Sequence, residues 1–315
     1  MAVKKISFVI PVFNEEPNIR LLYQELSTVM SKTKHAFELI FVDDGSTDGS
    51  ISVIRDLGTE DKRVFFVELS RNFGQQYALK AGIDIATGNC VISMDCDLQH
   101  PADVVIQLIE KWEEGYEVVY TRRLMDKRLP WFKRTTSNLF YNMLNVLSDT
   151  RMESGVADFR LLNRNVVVAI SGLTENGLFL RGLVKWVGFR QARVDYHARE
   201  RHSGASKYSF RKMATLAIHG LMSFTTRPLF FILYFGIFLT AISLALLTYI
   251  GIDYYLTNSY STFLLIVGLV SFFFGLQIII VGVIGIYMSH LIAETRQRPL
   301  YLVRSTNYPD HPNAR

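Results

Sequence analysis

Cysteine is almost missing from this chain: Cys90 and Cys96 are the only two in 315 residues. They lie six positions apart on one predicted strand, roughly 20 Å if extended, too far to bridge. No disulfide framework is expected, and a reduced compartment fits. The phosphate-cradling G-x-x-x-x-G-K-[ST] and the dinucleotide G-x-G-x-x-G are also missing, which removes P-loop and dinucleotide readings. His197, His202, His219 and His290 have no neighbouring carboxylate or cysteine at zinc spacing. No segment reads as a nucleic-acid module, so nucleic acid is not an expected partner. The apolar stretch Ile6–Phe13 is broken at once by Asn14-Glu15-Glu16, too soon for a signal peptide.

Charge is missing where its absence says most. From Leu229 to Ile252 there are 24 residues without one, and from Phe263 to Ser289 another 27 in which Gln277 is the only strongly polar side chain. A spanning helix needs about 20 apolar residues, so both runs are read as transmembrane helices joined by a short loop, 253–262. Arg211, Lys212 and Arg227 flank the pair on one side, and Arg296, Arg298 and Arg304 on the other. The positive-inside rule then places both termini in the cytoplasm, with an integral, bacterial inner-membrane location expected. Residues 208–228 read as a juxtamembrane amphipathic helix and 290–315 as a cytoplasmic tail. Gly268, Gly275, Gly282 and Ser289 recur every seven residues, a stripe allowing close helix approach and consistent with a homo-oligomer. The formal charge of +5 and pI near 9.1 suit anionic lipid or a phosphorylated substrate.

Residues 1–207 alternate strand and helix. Ile6–Phe13, Phe37–Val42, Val64–Leu69, the run Cys90–Met94 and Val118–Thr121 read as strands. Helices are expected from Pro17 to about Met30, from Thr47-Asp48-Gly49 to Leu57, from Gln75 to Ala86, and from Pro101 to about Glu114. Near-continuous apolar strands separated by helices indicate an α/β domain, a mainly parallel sheet covered on both faces. Each strand ends in a polar loop: Asn14/Glu15, Asp43/Asp44, Arg71, then Asp95 and Asp97. Such loops converge on one sheet edge, where open α/β folds take their ligands. Asp95-Cys96-Asp97 places two carboxylates i, i+2 apart, on one side of an extended chain. Mg²⁺ or Mn²⁺ accepts one or two such carboxylates and completes its shell with phosphate oxygens and water.

Four motifs occur in order: Pro11-Val12-Phe13-Asn14-Glu15-Glu16, Val42-Asp43-Asp44-Gly45-Ser46-Thr47-Asp48, Arg71-Asn72-Phe73-Gly74, and Met94-Asp95-Cys96-Asp97-Leu98-Gln99-His100-Pro101. Asp158-Phe159-Arg160-Leu161-Leu162 and Arg201-His202-Ser203-Gly204-Ala205-Ser206-Lys207 follow. Together they resemble family 2 glycosyltransferases of the Rossmann-like GT-A fold, most closely the polyprenyl-phosphate enzymes, bactoprenol glucosyltransferases and dolichyl-phosphate mannose synthases. The C-terminal hairpin is similar to the bactoprenol subgroup. The resemblance implies that Pro11, Phe13, Glu15, Val42 and Asp44 line the base and ribose pocket. It implies that Asp95 and Asp97 hold a metal against the donor diphosphate, with Cys96 and Gln99 alongside, and that Arg201 and Lys207 close over it. Arg122, Arg123, Lys133, Arg134 and Ser137 would meet the acceptor phosphate, and Asp158 is the family's base candidate or else an orienting group. Gln75 stands where many relatives have His, and Cys96 where Ala is usual.

The implied enzyme is a metal-dependent, inverting hexosyltransferase carrying glucose from UDP-glucose to undecaprenyl or another polyprenyl phosphate at the bilayer. Lys127-Arg128 and Lys133-Arg134, beside Leu129-Pro130-Trp131-Phe132 and Leu139–Leu144, would hold that phosphate at the membrane surface. GDP-mannose is the alternative donor. A processive polysaccharide synthase would carry Gln-x-x-Arg-Trp, and Arg181-Gly182-Leu183-Val184-Lys185-Trp186 is not that motif. A non-enzymatic membrane scaffold would not need the full Asp95/Asp97/Gln99 and Arg201/Lys207 sets.

Overall fold

The computed structural model describes residues 3–124, 156–173, 180–199 and 299–309, with individual helical positions between 266 and 295. These residues fall into two compact units: the segments up to 199 together with 299–309, and the helical positions between 266 and 295.

In the first unit, four strands form the parallel centre of the sheet: β1 (Lys5–Val12), β2 (Ala36–Asp43), β3 (Val64–Leu69) and β4 (Cys90–Ser93). β1 lies between β2 and β4, and β3 lies beyond β2, all parallel. Strand side chains alternate faces, and both faces of these strands are apolar. Ile6, Phe8, Ile10 and Val12 of β1 join one core cluster with Ile19, Leu22 and Leu26 of α1 (Glu16–Met30), Ile54 and Leu57 of α2 (Ser50–Glu60), and Leu108 of α4 (Val104–Glu113). On the opposite face, Gly82 of α3 (Gln75–Ile85) lies so close to the sheet that a Cβ there would collide with Val9 and crowd Val42. These elements match the sequence expectation within about three residues at their ends, because each strand is a buried apolar run bounded by polar loops.

The second half of the sheet is mixed. β6 (Val156–Asn163) runs antiparallel to both β4 and β5 (Val118–Arg123), and β7 (Gln191–Tyr196) lies parallel to β5. Helices α5 (Arg164–Ser171) and α6 (Leu180–Trp186) fall between β6 and β7 in the chain. The eighth strand comes from the C-terminal tail: β8 (Val303–Thr306) pairs antiparallel with β3. No strand is expected there from sequence, since four residues carry too little periodicity. The full order is β7-β5-β6-β4-β1-β2-β3-β8.

Around β8 the tail is anchored on both sides. Tyr301 donates to Asp84 at 2.8 Å, and Tyr308 lies 3.3 Å from both carboxylate oxygens of the buried Glu38. Lys5 and Ser7 also reach Glu38, at 2.6 and 2.5 Å, and the Thr87 amide donates to it at 3.3 Å.

In the second unit, the described positions from Ile266 to Thr295 are helical, and Ile266, Val270, Val281, Ile284, Met288 and Leu291 are exposed apolar side chains. Among the described residues no helix is long and apolar enough to cross a membrane. The expected first span (229–252), its loop, the juxtamembrane helix and the glycine stripe lie outside the described residues.

Candidate active site

The carboxylates Asp43, Asp44, Asp95 and Asp97 sit at, or just beyond, the C-terminal ends of strands. β2 ends in Asp43 and Asp44, and both are buried. Asp44 accepts the backbone N–H groups of Phe73 and Gly74 at 2.7 and 2.9 Å, which ties the loop after β2 to the loop after β3. Burial nevertheless pushes its carboxyl up to about 6, the two amides pulling the other way. The two loops touch because of Gly45. Its φ is +71°, and a Cβ would fall 2.7 Å from the Asn72 nitrogen. Asn14 also takes a left-handed conformation, φ 53°, and its Oδ1 accepts the Thr47 amide at 2.7 Å. Pro11, Phe13 and Glu15 are half-buried along this same edge.

Asp95-Cys96-Asp97 lies just past the end of β4 rather than within the strand, as expected from sequence, because regular pairing stops at Ser93. Cys96 and Leu98 join the core cluster, Asp97 is buried, and Asp95 is partly exposed. Leu98, at φ 61°, bends the chain immediately afterwards. Gln75 donates to Asp95 at 2.6 Å, and the Asp95 amide donates to His100 at 3.2 Å. Burial pushes the Asp95 carboxyl up to about 7, with Asp158 and Asp97 adding like-charge repulsion. About a third of its side chain stays exposed (32%), so the crevice is open at this point. His100 stacks on Phe159 with centroids 4.8 Å apart, and burial drives it down to about 4, a neutral ring.

Behind Asp95 is a buried ion-pair cluster. Asp158 of β6 accepts from Nε and Nη2 of Arg181 of α6, at 2.9 and 2.8 Å, and from Arg160 at 3.2 Å. Gln76 donates to the same carboxylate at 3.1 Å. Burial alone would raise this carboxyl, but Arg181 and Arg160 overturn that and hold it well below the usual carboxylate range. Leu79, Ile83, Leu180 and Val184 wall the cluster with apolar surface.

The two arginines at the end of β5 part company. Arg122 pairs with Asp195 of β7 at 3.0 and 2.8 Å, whereas Arg123 reaches the side-chain oxygen of Gln99 at 3.2 Å, beside Asp97. Val42 is fully buried beneath α3, and Cys96 is likewise core, so neither side chain lines the crevice. Lys133, Arg134, Ser137, Arg201 and Lys207 lie outside the described residues.

The sequence profile described as glycosyl transferase family 2 matches residues 7–170, from β1 into α5. The chain belongs to that family. An uncharacterized glycosyltransferase of Bacillus subtilis is 41% identical over 306 residues, covering 95% of this chain and 93% of that protein. The bactoprenol glucosyl transferase of Shigella phage SfX is 38% identical over 305 residues, 96% and 99% of the two chains. Among solved structures, a mannosyltransferase from Pyrobaculum calidifontis in complex with GDP-Man and Mn²⁺ shares 18% identity at a TM-score of 0.48, over 70% of this chain and 64% of that one.

In this glycosyltransferase the carboxylates fit a divalent cation. Burial raises the Asp95 carboxyl, and repulsion from Asp158 and Asp97 adds to it; a bound cation would offset that repulsion. No group of three metal-ligating side chains occurs among the described residues; a site with one or two carboxylates suits Mg²⁺ or Mn²⁺, which fill the rest of their shell with phosphate oxygens and water. Arg181, Arg160, Gln76 and His100 around these carboxylates were given no role from sequence. His100 and Arg160 lay in quoted motifs, whereas Arg181 and Gln76 join the site through tertiary pairing that spacing does not encode.

Proposed function

We propose that this family 2 glycosyltransferase is an inverting, membrane-attached enzyme that transfers glucose from UDP-glucose to a polyprenyl phosphate. The observation that carries this reading is the near full-length similarity to the phage bactoprenol glucosyl transferase, joined to a strand-end crevice built around Asp95 and Asp97. The apolar runs 229–252 and 263–289, with exposed apolar positions along the second, support placing the enzyme at a bilayer, where its acceptor resides.

Pro11, Phe13, Glu15 and Asp44 provide the nucleoside end of the crevice. Asp95 and Asp97 would hold Mg²⁺ or Mn²⁺, which when bound neutralises charge on the leaving diphosphate. Arg201 and Lys207 add positive charge to that leaving group, Arg by a two-point grip and Lys as a point charge. Arg123, Lys133, Arg134 and Ser137 receive the acceptor phosphate. Arg122 is already neutralised by Asp195 and contributes through the fold.

A phosphate monoester has a second pKa of about 6 and is largely ionised at neutral pH, so the acceptor needs alignment more than deprotonation. Asp158 fits that demand. A carboxylate held far below its ordinary range is a poor proton acceptor at neutral pH, and its role here is to fix Arg181 beside the reacting groups. In-line attack by the acceptor then inverts the anomeric centre, giving a β-linked product from an α-linked donor.

The test is a mixture of sugar nucleotides offered to the full chain with undecaprenyl phosphate and Mn²⁺, with lipid products read by mass spectrometry. A hexose–phosphate–lipid from UDP-glucose is expected. A product only from GDP-mannose would reassign the donor, and no lipid-linked sugar at all would remove the acceptor.

A further inference from the structure

Gln75 and Gln76, the first two residues of α3, touch two different carboxylates. The Gln75 side-chain amide donates to Asp95 at 2.6 Å and that of Gln76 to Asp158 at 3.1 Å. Gln76 makes a second contact, accepting the backbone N–H of Leu180 at 3.2 Å. Leu180 opens α6 and precedes Arg181, the residue that grips Asp158 through Nε and Nη2. One carboxamide thus joins three elements, α3, β6 and α6, at the point where the ion pair forms. A carboxamide suits this position because it offers a donor and an acceptor together.

Without Gln76, Asp158 would still have Arg181 and Arg160, so the cluster would remain charge-compensated. What would change is aim. Two guanidinium groups can share a carboxylate in several rotations, whereas a donor from the rigid start of α3 selects one. The same helix start holds Asp95, so the dipeptide fixes the spacing between the crevice carboxylate and the Arg181 head.

We propose that Gln76 is a positioning residue for transfer, setting the Asp158–Arg181 pair relative to Asp95 through its simultaneous bonds to Asp158 and the Leu180 amide. The inference rests on the crevice being the site of glycosyl transfer. It acts on kcat rather than on donor binding, because Gln76 lies behind the crevice and holds groups that must be aligned in the transition state. Small misplacements there cost up to about 100-fold.

Three full-length variants separate positioning from bracing: Gln76→Ala, Gln76→Leu and Gln76→Glu. Glu keeps the length and the acceptor for the Leu180 amide but has no donor for Asp158 and repels it. Hydrogen exchange of the 180–186 segment reports the bracing, and nucleoside diphosphate release with and without polyprenyl phosphate reports turnover. Expected are kcat losses of about 10-fold or more in all three variants, donor KM within about twofold of wild type, and 180–186 exchange raised in Ala and Leu but near wild type in Glu. Wild-type kcat in Gln76→Glu, or variants all within twofold of wild type, would overturn the proposal. If wild-type release is not stimulated by polyprenyl phosphate, the acceptor assignment fails, and the same kcat comparison on basal release still decides the role of Gln76.

Discussion

Replacing Arg181 with Met removes two charge-assisted bonds of 2.9 and 2.8 Å from a carboxylate that is 4% exposed, and retains most of the side-chain bulk. Breaking a buried ion pair costs about 3–5 kcal/mol when the remaining charge has no other partner. Here Asp158 keeps Arg160 at 3.2 Å and Gln76 at 3.1 Å, so the cost falls below that range, to roughly 2–3 kcal/mol. For a domain of this size that corresponds to a fall in Tm of about 4–12 °C. The pH dependence has a definite sign. Asp158 is held below its unfolded value, so the stabilisation is complete above about pH 4 and is lost only as pH falls through the depressed folded value. The Tm deficit of Arg181→Met should therefore be the same at pH 7.5 and pH 5 when measured in an Asp95→Asn background, which removes the Asp95 carboxyl that titrates near 7 and also feels Arg181, by thermal unfolding of the detergent-solubilised chain. A deficit under 1 °C would show that the pair gives no net stabilisation. A deficit that changes between pH 7.5 and 5 would show that Asp158 titrates there and is not locked as an anion.

Three further outcomes follow from the geometry. Gly45→Ala places a Cβ 2.7 Å from the Asn72 nitrogen at a φ of +71°, so a stability loss of about 1–3 kcal/mol is expected, with weaker nucleotide binding by calorimetry because the Asp44 loop must shift. Asp44 has a folded value raised to about 6, so its contribution to stability is complete below about pH 4 and declines as pH rises through 6; Asp44→Asn should remove that component of the Tm–pH slope. Tyr308→Phe deletes a hydroxyl shared by Glu38 and Thr87 and should cost about 1 kcal/mol, read as a Tm shift with kcat unchanged, since this contact lies at the sheet edge opposite the crevice.

The first five strands were legible because each is a buried apolar run closed by a polar loop, a pattern independent of distant residues. Asp44, Asp95 and Asp97 were legible for the same reason, being the residues at which those runs stop. Arg181 was not. Within Arg181-Gly182-Leu183-Val184-Lys185-Trp186 it reads as a helix-surface cation, and its partner Asp158 lies 23 residues earlier on another element. β8 escaped because Val303–Thr306 has no apolar partner of its own and becomes a strand only against β3. Conversely, Val42 and Cys96 belong to motifs at the crevice, yet both side chains lie in the core.

The central claim is that the Asp95/Asp97 crevice releases a sugar to a lipid phosphate. Its most direct measurement is the rate of lipid-linked glucose formation from UDP-glucose and undecaprenyl phosphate by wild type and Asp97→Asn, each with and without added Mn²⁺ after chelation. Metal-restored transfer by wild type, and a loss of at least about 100-fold in Asp97→Asn with or without metal, is predicted. Transfer by Asp97→Asn at the wild-type rate would contradict the account.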